Sequence, residues 1–149
     1  MTRTNPNTFP LNWAPHLLSL LRIVAMSNFI SHGTQKVFGY PPSPPFPMPP
    51  FTLLWNAGMI EIAGGTLVLV GLFTRPVAFI LCGEMAVAYF RTHAPRNFWP
   101  LNNGGEITVM FCFFFLYLVA AGPGPWSLDH VLSRSKTREK TRDLRRTTA

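Results

Sequence analysis

Charge is what this chain has least of. Only 13% of its 149 residues are Asp, Glu, Lys or Arg, about half the share found in soluble domains, while 48% are hydrophobic. Acid is rarer than base, six residues against thirteen, for a formal charge of +7. Spread over a soluble surface, that excess would suggest nucleic acid. Seven of the basic residues instead crowd between Arg134 and Arg146, in a tail with no aromatic platform on which bases could stack, so nucleic acid is set aside as a partner.

Cysteine is nearly absent. Cys82 and Cys112 each lie inside an apolar stretch, and counting inward from the stretch ends puts them at different depths. Two free thiols are expected rather than a disulfide. There is no paired-cysteine or haem-attachment motif, hence no redox centre in the chain itself. His32, Glu61 and Glu84 could be imagined around a metal, but the Glu-x-x-His pairs of carboxylate-bridged metals in helical bundles are missing. No small-residue cleavage site follows the first apolar run, which carries Arg22, His32 and Lys36, so no signal peptide is expected.

Four long apolar stretches are present: about 17–38, 52–72, 76–92 and 105–122. A helix of about 20 residues rises about 30 Å, the thickness of a bilayer's hydrocarbon core. A soluble bundle would show a polar stripe on every helix. The run Phe111 to Val119, FCFFFLYLV, shows none. The fold class expected is therefore an all-α membrane protein, a four-transmembrane-helix bundle over residues 16–129. Residues 1–15 form an N-terminal segment and 130–149 a basic tail. Lys and Arg bias places both ends in the cytoplasm of a bacterial inner membrane.

The linkers differ in kind. Tyr40 to Pro50, YPPSPPFPMPP, holds seven prolines and is read as a stiff connection, with a docking strip or a lid as the functional alternative. Asn97, Phe98, Trp99, Asn102 and Asn103 suit a membrane interface.

Within the second stretch Glu61 lies among Gly58, Gly64 and Gly65. A carboxylate near mid-bilayer costs about 2.5 kcal/mol or more unless it faces the protein interior, and the glycines let a neighbouring helix come close. Counted from the outer ends, His32, Glu84 and Glu61 fall into one layer, with Lys36, Arg91 and Glu106 above them near the outer mouth. Glu84 and Arg91 are seven residues apart and share a helix line. Arg22 is expected to snorkel to the cytoplasmic side. The candidate ligand-binding set is His32, Lys36, Glu61, Glu84, Arg91 and Glu106, a polar pocket opening outward.

The stretches LLRIVAMSNFISHGTQKVFG, GMIEIAGGTLVLVGLFTRPVA, GEMAVAYFRTHAP and NNGGEITVMFCFFFLYLVAAGPGPWSLD together resemble the DoxX family of small four-span bacterial membrane proteins. The family's recurrent polar residues fall on His32, Lys36, Glu61, Glu84 and Glu106. The resemblance implies kinship with the small membrane subunit of a thiosulfate:quinone oxidoreductase and a place in membrane redox or oxidative-stress complexes. The proline-rich loop and the basic tail depart from the plain family pattern.

Two functions remain open. One is a quinone-linked redox component or subunit, its pocket hydrogen-bonding the carbonyls of a quinone cofactor, its redox centre supplied by a partner. The other is a non-catalytic structural or accessory subunit of a larger membrane complex. The lipid bilayer is the expected partner in either case, with other subunits of a redox complex or further copies of the chain beside it.

Overall fold

The computed structural model describes residues 13–136. The greater part of the expected N-terminal segment and the basic tail from residue 137 onward lie outside the described residues. Those described are helical, with no strand among them.

Helix α1 spans Ala14–Phe38, α2 Leu53–Val70 and α3 Thr74–Ala88, the last continued by a π-helical turn Tyr89–His93; α4 is the short Pro100–Asn103 and α5 spans Glu106–Ala121. Residues 128–136 add a terminal helical segment. The four long helices lie over the four apolar stretches. Of these, α2 is long and apolar enough to cross a membrane on length and composition, whereas the apolar α5 is shorter.

Local chemistry sets the ends. Gly39 takes the left-handed conformation that closes α1, its N–H bonding back to Gln35 and that of Tyr40 to Thr34, and Gly71 with Leu72 closes α2 in the same way onto Val68 and Leu67. Thr52 opens α2 by accepting a hydrogen bond from the Trp55 N–H.

The helices pack as α1 on α2 and α3 on α5, with α2 also against α3. Glycine brings the first pair together. A Cβ at Gly33 would lie 2.7 Å from the Gly58 carbonyl oxygen, and one at Gly65 would lie 2.8 Å from Ile30. On the other side of α2 a Cβ at Gly64 would meet Leu81 of α3 at 2.8 Å. One glycine-lined helix thus serves two neighbours.

Met26 and Phe29 of α1, Val68 of α2, Ala78, Leu81 and Met85 of α3, and Phe111, Phe115 and Leu118 of α5 form a single core. Phe29 meets Phe111 and Phe115 edge-on, ring centres 5.0 and 4.9 Å apart. The outside is apolar as well: Val24, Ile80, Val87, Met110 and Phe113 are all exposed, a surface suited to lipid. Polar residues on that surface turn inward. Ser27, Asn28 and Ser31 donate to the carbonyls of Ile23, Val24 and Ser27 on their own helix, leaving little polar surface to solvate.

At the end where α1 starts, Arg22 corrects the snorkelling expectation, because it is fully buried. Its guanidinium donates to the carbonyls of Val68 and Leu69 at the end of α2 and to those of Pro123 and Trp126 in the segment after α5. A helix C-terminus leaves carbonyls without partners and carries negative dipole charge. Arg22 answers both. Arg75 does the same for Val119 and Ala120 of α5. Asp129 accepts from the N–H groups of Phe73 and Thr74, each 2.9 Å away, at the opposite pole, the start of α3.

The cysteines require a second correction. They remain free thiols, but they are level with each other, Sγ to Sγ 3.7 Å. The reason lies in the register of α3 against α5. Gly105 seats against Tyr89 and His93, where a Cβ would fall 2.9 Å from the Tyr89 ring. Cys112 follows Gly105 by as many residues as Cys82 precedes Tyr89. Helix ends assumed flush had hidden that register.

Candidate functional site

The close approach at Gly33 and Gly58 has a chemical consequence. It lets Lys36, three residues beyond Gly33 on α1, reach Glu61, three residues beyond Gly58 on α2. The two form an ion pair in which the Lys36 side chain is 19% exposed and that of Glu61 2%. Lys36 therefore belongs in the deep layer rather than above it. Its butyl stem runs down the α1–α2 seam and delivers the ammonium to the carboxylate.

Two cavities meet at this pair. The central one, about 350 Å³, lies between α1, α3 and α5 and is lined by His32, Gln35, His93, Thr108 and Phe111. The second, about 360 Å³, lies between α2 and α3 and is lined by Asn56, Gly83, Glu84 and Arg91. Lys36, Glu61, Leu54, Met85, Ala88 and Thr92 line both. The ion pair is part of a shared wall.

The candidate residues consequently divide. Lys36 and Glu61 touch; His32 lines the central cavity with its ring edge-on to Phe111, centres 6.3 Å apart; Glu84 and Arg91 line the side cavity. His32 and Glu84 thus lie in different cavities, on either side of Glu61 rather than together. Glu106 stands apart. It opens the first turn of α5, is exposed, and lines neither cavity.

Not every polar atom here is satisfied. Glu61 Oε2 and both carboxylate oxygens of Glu84 are buried without a hydrogen-bond partner. A buried polar oxygen left so costs about 1–3 kcal/mol, more when charged. Such an atom is relieved by a proton or by a donor on whatever occupies the cavity.

His93 was missed in the sequence. The stretch was taken to end at Thr92 with regular helical spacing, and the wider π-helical turn over Tyr89–His93 changes the directions that follow. Thr92 and His93 turn into the central cavity. The His93 Nδ1 lies 3.2 Å from the Asn103 carbonyl and Nε2 3.4 Å from the Thr108 hydroxyl. A carbonyl only accepts, so Nδ1 carries a proton toward Asn103, and in the neutral ring Nε2 is the atom that accepts from Thr108. A histidine directly after a helical span that also holds a glutamate was the one signal available.

The mouth of the bundle at this end is knotted by the same segment. Tyr89 donates to the Phe98 carbonyl, and Asn103 donates to the Asn97 carbonyl at 2.6 Å while its own oxygen accepts from the Gly105 N–H at 2.7 Å. Across the mouth the proline-rich loop folds back on α1. Met48 N–H bonds the Lys36 carbonyl, Thr34 and Gln35 donate to the carbonyls of Tyr40 and Pro41, and Phe46 reaches the central cavity. Among the described residues, no three His, Cys, Asp or Glu side chains gather as a metal site.

A family model for DoxX matches residues 17–94, a region that holds nearly all of α1, α2 and α3, the ion pair and most of both cavity linings. The chain belongs to the DoxX family. It is similar to an uncharacterized protein of Haemophilus influenzae, 42% identical over 79% of this chain and 92% of that one. It is also similar to an uncharacterized membrane protein of Mycobacterium tuberculosis, 29% identical over 83% and 85% of the two chains. No solved structure matches it. As a DoxX chain it is a membrane protein, which gives its apolar outside a solvent in the lipid bilayer.

Proposed function

We propose that this DoxX protein crosses the bacterial inner membrane four times, with both ends in the cytoplasm, and binds a quinone headgroup at the Lys36–Glu61 wall as a component of a membrane redox complex. The observation that carries the reading is the pair of cavities meeting at a buried ion pair, with unpartnered carboxylate oxygens on Glu61 and Glu84. A volume of about 350 Å³ falls at the small end of ligand pockets, about 300–1,000 Å³, and an apolar lining with a few convergent polar groups suits a flat ring with two carbonyls.

A bound quinone supplies reversible two-electron, two-proton chemistry. The chain's own residues do the rest. Lys36 donates to a carbonyl oxygen in the central cavity, and His32 lines the same cavity as a further hydrogen-bonding group. Glu61 and Glu84 hold or release protons on the two sides of the wall. Electrons come from a partner, since the chain has no redox centre of its own beyond two thiols.

One observation favours a second reading. The Lys36–Glu61 pair ties α1 to α2, as an interhelical link would in a purely structural subunit. Glu61→Gln separates the two. It keeps a hydrogen bond to Lys36, so the protein should insert and hold its stability, while bound quinone, measured by extraction from protein purified in mild detergent, should fall at least tenfold. Glu61→Leu, which leaves Lys36 alone in the seam, should in addition cost about 1–3 kcal/mol. Normal quinone retention in both Glu61→Gln and Glu84→Gln would sink the redox reading and leave the scaffold. Topology has its own test. Reporter fusions near Ser43 and beyond Lys136 should report opposite sides of the membrane, and a periplasmic signal at the C-terminal fusion would overturn the orientation.

A further inference from the structure

The quinone reading makes no use of the two thiols. Cys82 of α3 and Cys112 of α5 face one another at 3.7 Å, and the Cys112 thiol also lies 3.5 Å from the Cys82 carbonyl oxygen. Both are partly exposed on the outside of the α3–α5 seam. Exposed Phe79 and Phe113 flank the pair. Two thiols held in contact by two packed helices behave at high effective concentration toward each other.

We infer that Cys82 and Cys112 form a redox-active dithiol on the lipid face of the bundle, oxidised to a disulfide by a quinone dissolved in the bilayer. The oxidant class follows from place and balance. Whatever reaches a thiol pair flanked by exposed Phe79 and Phe113 must be lipid-soluble, and it must take up two electrons and two protons. Two S–H bonds break and one S–S bond forms. The electrons and protons are taken up at the two carbonyl oxygens of the quinone, giving the hydroquinone. The inference goes beyond the cavity reading, because the pair lies outside both cavities.

The test uses the full chain in lipid nanodiscs, reduced and freed of reductant, with a decyl-substituted benzoquinone as the probe. Expected are loss of both maleimide-reactive thiols, a Cys82–Cys112 linked peptide under non-reducing mass spectrometry, and an equimolar amount of hydroquinone. Cys82→Ser and Cys112→Ser should each keep one reactive thiol and yield no hydroquinone. Diamide serves as a second oxidant. Closure by diamide but not by the benzoquinone overturns the assignment of the oxidant, and closure by neither overturns the dithiol. Glu61→Gln, which disables the cavity, should cross-link as the parent does. Loss of cross-linking in that variant would overturn access from the lipid side, whatever its quinone retention shows.

Discussion

The two ends of this bundle handle the same scarce resource, charge, in opposite ways. At the end where α1 begins, Arg22, Arg75 and Asp129 each meet backbone groups that helix termini leave open. At the other end Lys36 and Glu61 meet each other, and the remaining carboxylate oxygens of Glu61 and Glu84 meet nothing. The closed end spends its charges on stability, since each replaces hydration that lipid cannot supply. The open end leaves buried oxygens beside cavities, a state that costs free energy and is retained where an occupant or a proton has a use for it.

The comparison is broken most severely by Arg22→Leu. It strands the carbonyls of Val68, Leu69, Pro123 and Trp126 together, and should lower stability by about 3 kcal/mol or more, read as a large fall in apparent unfolding temperature in detergent. Arg22→Lys should recover only part of the loss, because an ammonium cannot span carbonyls from two separate segments as the planar fork does. A Lys variant as stable as the parent would show that charge, not geometry, closes this end.

Asp129→Asn comes next. It retains one acceptor oxygen for the N–H groups of Phe73 and Thr74 and loses the charge at the start of α3, so a decrease of about 1–2 kcal/mol is expected by the same thermal assay. Bound quinone should not change, because the open end is untouched. A drop in retained quinone at unchanged stability would mean the two ends are coupled.

Gly83→Leu probes the open end with the smallest effect on folding. Since a Cβ there meets nothing within 4 Å, the substitution should leave stability unchanged or raise it by up to about 1 kcal/mol through helix propensity. The added side chain fills the cavity beside Glu84. Retained quinone should fall if the side cavity takes part in binding, and unchanged retention would confine the proposed site to the central cavity.

Much of the helical layout was legible because its signals are local. Apolar length marks the four long helices, and the quoted motifs carry the family resemblance. Glu61 was singled out because a carboxylate among glycines conflicts with its surroundings wherever the helix lies. The misreadings have two causes. Lys36 and the two cysteines were placed by counting from the ends of each stretch, as if helix ends were level and side chains short, and Arg22 was sent outward because the carbonyls that hold it come from segments distant in sequence.

Composition and pattern alone thus determined a helical membrane chain, the glycine-lined second helix and the presence of ionisable groups within its apolar stretches, since these depend on the hydrophobic cost of each stretch. Partnership was decided only in three dimensions. The Gly33–Gly58 approach gives Glu61 to Lys36, the π-helical turn brings His93 into the cavity, and the seating of Gly105 on Tyr89 sets Cys82 beside Cys112. Each depends on the axial offset between two packed helices, to which residues distant in sequence contribute together, and no local pattern along one helix encodes it.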